Sequence, residues 1–374
     1  MGKPIVVVSA VNLTEGGPLT VLRDCITAFS EVKEKRVVFI VADKTVHDGL
    51  FTGDIEFYYF PKVKSSWLKR LWFEYFFLKK FSINLGTVDV WLSLHDMSPR
   101  VTSGKQYVYC HNPSPFVDIT FKDFLLDPKQ YLFSKFYGFL YRINIKANSG
   151  IIVQQHWFGE YFKRIAPDVS IFVANPDVSS IPDYYLQLVS ASTKKYYDKI
   201  EKKKDFFLFY PAYPRYFKNH FLLVSALSGI KNVKLKITLS GDENRLAKSV
   251  MESVKSRRQE NIIFSGLLPR DKVLLELSRS DALIFPSLIE TWGLPISEAI
   301  RLNKVILVAD LPYAHETVGN YEKVYWFDPK NIISIRSAVY KFIENAPFDG
   351  PKVFKKEFRE IKGWSGLCEL ICCE

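Results

Sequence analysis

Short apolar strands alternate with helical segments along almost the whole chain, and no other feature constrains the fold as strongly. Residues 5–10, 36–42, 88–93, 106–110 and 150–153 read as strands, and a helical pattern runs over 19–29 after the turn at Gly16-Gly17-Pro18. Strands joined through helices make a doubly wound parallel sheet. A second series follows, with strands at 206–210, 235–240, 261–265, 282–285 and 305–309 and helices at 221–228, 245–256, 271–278 and 296–301. Between the two lies a polar stretch ending in Lys202-Lys203-Lys204. A chain of 374 residues exceeds what one hydrophobic core usually supports. The expectation is an α/β protein with two Rossmann-like domains facing across a cleft, at 1–180 and 205–358, joined by a linker at 181–204.

Composition excludes several classes. With 48% hydrophobic and 24% charged residues the chain is neither disordered nor fibrous. Apolar runs such as 5–8 and 206–210 are far too short to span a bilayer, which takes about 20 residues. Met1-Gly2-Lys3-Pro4 leads straight into a strand without a signal peptide's apolar stretch, so a cytoplasmic location is expected. Of five cysteines, Cys368, Cys372 and Cys373 cluster near the end, but they lack a fourth ligand and the Cys-x2-Cys pairs of a zinc site. The net charge of +11 calls for an anionic partner: nucleic acid, anionic lipid or a phosphorylated substrate.

The richest segment is Phe285-Pro-Ser-Leu-Ile-Glu290-Thr-Trp-Gly293-Leu-Pro295-Ile-Ser-Glu298-Ala. A strand ends at Phe285, a loop carries Glu290 and Gly293, and Pro295 suits the first turn of a helix. Free backbone amides and the positive end of that helix suit a diphosphate. Glu290 and Glu298 flank it as acceptors for hydroxyl groups.

At these residues the chain resembles the retaining GT-B glycosyltransferases of the family-four group, whose signature is a Pro-Ser-x-x-Glu-x-x-Gly-x-Pro-x-x-Glu-Ala frame. The resemblance continues in Asn261-Ile-Ile-Phe-Ser-Gly266, in Ser240-Gly241-Asp242 and in Asp310-Leu-Pro312 followed by His315-Glu316. It is weaker in Gly16-Gly17 and Tyr109-Cys-His111, and Trp364-Ser365 resembles a last helix, 360–374, that crosses back to the first domain.

The resemblance implies a role for each site residue. Glu298 would hold the ribose hydroxyls of a nucleotide. Glu290, with the amides of Trp292, Gly293 and Leu294, would hold the donor sugar and phosphate, and the turn Gly266-Leu267-Leu268 would meet the base. Gly16 and Gly17 would approach the diphosphate, and His111 would line the reaction centre. The family's arginine and lysine for the leaving diphosphate are only partly matched: Lys218 is present, Ala212 and Tyr213 stand at the usual arginine positions, and Arg215 is the nearest replacement.

The resemblance further implies transfer of a sugar from a UDP- or GDP-sugar to a hydroxyl of a glycan or lipid-linked acceptor, with retention, in surface polysaccharide or glycolipid assembly. No Asp-x-Asp motif is placed to hold a metal against the diphosphate, so no metal and no further cofactor are expected. The acceptor would be read by loops at 95–100 and 112–121. Residues 62–81 combine Trp67, Trp72 and several phenylalanines with six basic residues and suit an anionic membrane surface, which would make the protein peripheral at the inner face. His95, His156 and His220 are read as structural. A sugar-nucleotide epimerase would share the fold but needs further acid and base carboxylates beside the sugar. A nucleic-acid-binding protein would want a recognisable basic module, and none is present.

Overall fold

The computed structural model describes residues 3–119, 124–176 and 205–373, so the expected linker at 181–204 lies outside the described residues. The chain divides into two compact units. One comprises Met1–Asn112, Phe136–Asp177 and Lys356–Glu374; the other comprises Pro113–Lys135 and Val178–Lys355.

In the first unit β1 (Ile5–Ser9), β2 (Arg36–Val41), β3 (Glu56–Tyr59), β4 (Val88–Ser93), β5 (Lys105–Cys110), β6 (Gly150–Val153) and β7 (Ser170–Asn175) form a parallel sheet in the order β7-β6-β5-β4-β1-β2-β3. Alternate side chains of a strand point to opposite faces. Val6 and Val8 accordingly join Leu22 and Phe29 of α1 (Gly16–Ser30) in one core. Ile5 and Val7 join Trp91, Phe73 and Leu78 in another. The buried positions of α1, at Leu22, Cys25, Ile26 and Phe29, follow the helical i, i+3, i+4, i+7 spacing. Each such side chain contributes roughly 1.5–3 kcal/mol when fully buried. After β3 come α2 (Trp67–Trp72), a π-helical turn at Phe73–Phe77 and α3 (Leu78–Asn84). Helices α4 (Pro128–Arg142) and α5 (His156–Ile165) follow β5 and β6.

In the second unit β8 (Phe206–Tyr210), β9 (Val233–Ile237), β10 (Ile262–Phe264), β11 (Ala282–Phe285), β12 (Val305–Ala309) and β13 (Val324–Phe327) form a parallel sheet in the order β10-β9-β8-β11-β12-β13. The helices are α6 (His220–Ala226), α7 (Arg245–Ser256), α8 (Arg270–Arg279), α9 (Leu294–Arg301), α10 (Pro312–Val318) and α11 (Ile332–Ile343). In each sheet the chain first builds outward on one side of its opening strand and then on the other. The carboxyl ends of β1 and β4, and of β8 and β11, are therefore the topological switch points where α/β proteins bind ligands.

The division differs from the expected one in two places. Residues 113–135 group with the second unit rather than with 1–180; near their end the buried Asp127 lies 3.7 Å from the Arg215 guanidinium. The chain end returns to the first unit as a strand before it becomes a helix: β14 (Arg359–Lys362) pairs in parallel with β7. Then α12 (Gly363–Cys373) packs Leu367, Leu370 and Ile371 into the core that holds α1. That strand buries only Ile361, which leaves no apolar run to read in the sequence.

Candidate functional site

The second unit's switch point gathers most of the expected site residues. Where β11 ends, Gly293 takes φ 87°, a left-handed conformation suited to glycine, and so turns the chain into α9 with Pro295 in the first turn. The opening amides of α9 have no acceptor within the helix, and its dipole adds positive potential there. Trp292 and Leu294 flank that turn. The Trp292 indole donates to Ser297 Oγ at 2.9 Å, and the Thr317 hydroxyl donates to the Trp292 carbonyl.

Glu290 is held by two donors, one of them itself braced. The Lys218 ammonium and the Ser287 hydroxyl both donate to its Oε1, the latter at 2.5 Å, and Tyr313 donates to the Ser287 carbonyl at 2.8 Å. Lys218 also stands 5.6 Å from the centre of the Phe285 ring. Its loop is tied to the Glu290 loop by Leu288 N–H donating to Phe217 O at 2.7 Å and by the Asn219 amide donating to Pro286 O at 3.2 Å. The result is a partly buried ion pair whose two loops are tied together by backbone contacts.

Glu298, one turn inside α9, is only 5% exposed. Burial pushes its carboxyl up to about 7, partly opposed by the Arg270 guanidinium 3.5 Å away. Gly266 at φ 71° ends β10 and donates to Leu239 O at 2.9 Å, leaving Leu267 and Leu268 in the turn that precedes α8, with Leu267 exposed. Arg215 opens the turn that carries Lys218, whose backbone N–H donates to the Arg215 carbonyl at 3.0 Å, but the guanidinium points elsewhere. It lies 3.7 Å from Asp127 and over the Tyr213 ring, so its charge already has a carboxylate partner.

Gly16, Gly17 and His111 lie in the first unit. The two glycines are the first residues of α1 rather than a turn before it. Gly16 has φ 62°, and a Cβ on Gly17 would meet nothing within 4 Å. His111 follows β5, and its backbone N–H donates to Asp96 Oδ1 at 2.7 Å. Asp96 also accepts from Asn112 N–H and from the hydroxyls of Tyr137 and Tyr141, at 3.1, 3.1 and 3.2 Å. The His111 ring is not itself hydrogen-bonded to Asp96: Nδ1 lies 3.8 Å away and is buried without a partner among the described residues.

Sequence reasoning missed a buried polar cluster at the first unit's switch point. His95 Nε2 lies 3.1 Å from Ser9 Oγ and 3.3 Å from Glu74 Oε1. Arg70 donates to the His95 carbonyl at 3.1 Å, and burial pushes the Glu74 carboxyl up to about 8. Arg70, counted among the basic residues of 62–81, is thus inside the protein and unavailable to a membrane. Ser287 and Arg270 were also missed, although Ser287 stands in the Pro-Ser frame itself. His156, bonded by Glu357 and Phe358 amides, and His220, fully enclosed and pushed down to about 3, sit in packed surroundings.

Two Rossmann-like units with all-parallel sheets, the second with a glutamate-bearing loop at its switch point, have the GT-B fold. The sucrose-phosphate synthase of Thermosynechococcus elongatus has this fold, with a TM-score of 0.66, 11% identity, and 91% of this chain and 90% of that chain covered. A glycosyltransferase of Rickettsia africae gives 0.64 at 15% identity, covering 92% and 89%. HepE of Anabaena, solved in complex with UDP-glucose, gives 0.63 at 13% identity, covering 91% and 90%. A comparison with curated proteins finds none that matches by sequence. Residues 193–360, a little under half of the chain, match the family model described as Glycosyl transferases group 1.

Proposed function

We propose that the protein transfers a sugar, with retention, from a UDP- or GDP-sugar to a hydroxyl of a glycan or lipid-linked acceptor in surface polysaccharide or glycolipid assembly. The observation that carries this reading is the Glu290 carboxylate fixed between Lys218 and Ser287 at the mouth of α9. HepE's complex with UDP-glucose supports the nucleotide class of the donor. In this reading Glu298 accepts from the ribose hydroxyls, and Gly266, Leu267 and Leu268 meet the base. The amides of Trp292, Gly293 and Leu294 cradle the diphosphate. Glu290 orients the donor sugar. Lys218 exchanges Glu290 for the charge that develops on the leaving diphosphate, an interaction stronger in the transition state than in the ground state. Arg215 contributes little, because Asp127 already neutralises it.

Lysine and helix-end amides take the place of a metal here, and activity is expected to survive a chelator. Among the described residues no helix is long and apolar enough to cross a membrane. A cytoplasmic protein resting on the inner membrane face through 62–81 fits a lipid-linked acceptor. The test is a thermal-shift screen with UDP, GDP and their sugars, followed by assay of the anomeric configuration of the product. The absence of a shift with every nucleotide tried refutes the donor site, inversion refutes the stereochemistry, and isomerisation of donor alone would favour an epimerase. Loss of activity in EDTA restored by magnesium would refute metal independence.

A further inference from the structure

Helix α4 has two faces of unusual contrast. Tyr137 and Tyr141 are buried against the polar cluster around Asp96, while Phe136 and Phe139 stand 63% and 68% exposed. One turn beyond Phe139, Arg142 projects into solvent at the rim of an open concavity of about 550 Å³. Three cations, Arg142, Lys146 and Arg164, line that concavity together with Asn144, and no carboxylate does.

The concavity is built rather than incidental. Asn144 holds the turn before β6 by donating to the Pro99 carbonyl at 2.7 Å, and Asn148 donates to Ser98 Oγ at 2.6 Å and to Ile145 O at 2.8 Å. Like charges gathered on a fixed backbone repel unless an anion joins them.

The aromatic stripe does not stand alone. The Trp67 ring meets the Tyr137 ring edge-on at 6.2 Å, which places the start of α2 beside the middle of α4. Leu68 and Trp72 are exposed on α2.

We propose that α4 is a second membrane-contacting helix and that the Arg142, Lys146 and Arg164 concavity receives the phosphate of an anionic phospholipid headgroup. Phenylalanine and tryptophan on an exposed face favour the boundary between headgroups and acyl chains, and adjacent cations favour anionic lipid. A free phosphate or a nucleotide would satisfy the three cations but would leave the stripe that leads to them unaccounted for. The inference extends the membrane reading of 62–81 and rests on it for the surface the two helices share, but not on the sugar-transfer reading.

The experiment is flotation of the full chain with vesicles of phosphatidylcholine alone or mixed with phosphatidylglycerol. The parent is expected on the mixed vesicles. Each basic residue near such a surface changes affinity about fivefold, so Arg142→Gln/Lys146→Gln/Arg164→Gln should weaken binding on the order of a hundredfold. Phe136→Ser/Phe139→Ser changes only exposed side chains and should also release the protein. Unchanged melting of both variants, and an unchanged nucleotide shift where the parent shows one, separates loss of membrane contact from loss of fold or donor site.

Parental binding by both variants overturns the proposal. So does equal binding to neutral vesicles. If Trp67→Ser/Trp72→Ser abolishes binding while the α4 variants do not, the contact is confined to 62–81 and α4 has no part in it. Inorganic phosphate that binds the parent but not the triple variant, with vesicle binding unaltered, assigns the concavity to a free anion and also overturns the lipid reading.

Discussion

Glu298 offers the sharpest test of the donor site, because its surroundings favour the wrong protonation state for its proposed task. Ribose hydroxyls donate hydrogen bonds, so the bound state needs the carboxylate, whereas burial pushes this carboxyl up to about 7. Below that pH the free protein must lose a proton to bind nucleotide. Affinity should fall about tenfold by pH 6 and about a hundredfold by pH 5, relative to pH 8. Stability moves the opposite way. The folded-state value lies above the ordinary glutamate value, so the neutral form is favoured by folding. This group's contribution is fully present below the unfolded value and is lost as pH rises through about 7. A fall in affinity between pH 7 and pH 5 therefore cannot be ascribed to this residue's unfolding tendency. Isothermal titration of UDP or GDP across that range, beside thermal melts of the free protein, measures both. Glu298→Gln should bind about tenfold to a hundredfold more weakly at pH 8, since a charged acceptor contributes about 1.5–3 kcal/mol, and should show a flat pH profile. A parent whose affinity is constant from pH 8 to pH 5, or a Glu298→Gln variant that keeps the slope, would refute the assignment.

Lys218→Ala should lower the catalytic rate on the order of a hundredfold while changing donor affinity less; steady-state kinetics with correct folding checked by circular dichroism decides it. Arg215→Ala should leave the rate near parental but lower stability by roughly 1 kcal/mol, since it strips Asp127 of its cation; a severe rate loss would restore Arg215 to the diphosphate. Gly293→Ala forces a side chain into φ 87°, with its Cβ 3.2 Å from Ile296 Cδ1, and should cost about 1–3 kcal/mol in thermal melts and weaken nucleotide binding. Leu370→Ala, in α12, should destabilise the first unit by about 2–5 kcal/mol with the donor site intact, so that nucleotide still protects the second unit from proteolysis.

The alternation of strands and helices, the two-domain length and the Glu290 to Glu298 frame were all legible, because each is written in contiguous residues. Periodicity marks an element whatever it packs against, and the Pro-Ser-x-x-Glu frame places Gly293 and Pro295 where a strand must turn into a helix. Sequence likewise offered Lys218 as a candidate. It could not supply the ion pair with Glu290, which joins residues 72 positions apart across the ends of two parallel strands. The same holds for Arg215. Its candidacy rested on sequence proximity to Lys218, and the carboxylate 3.7 Å from its guanidinium, Asp127, comes from a stretch that only tertiary contacts group with the second unit. Arg70 shows the converse error. Composition made it one of a run of cations, but packing turned it inward to the His95 carbonyl, while Lys69 beside it stayed in solvent. Local pattern fixes which backbone groups and side chains a segment presents along its own axis. Which of them meet, and whether a charge ends in water or against a partner, depends on sheet order and burial, quantities that exist only once distant segments have packed together.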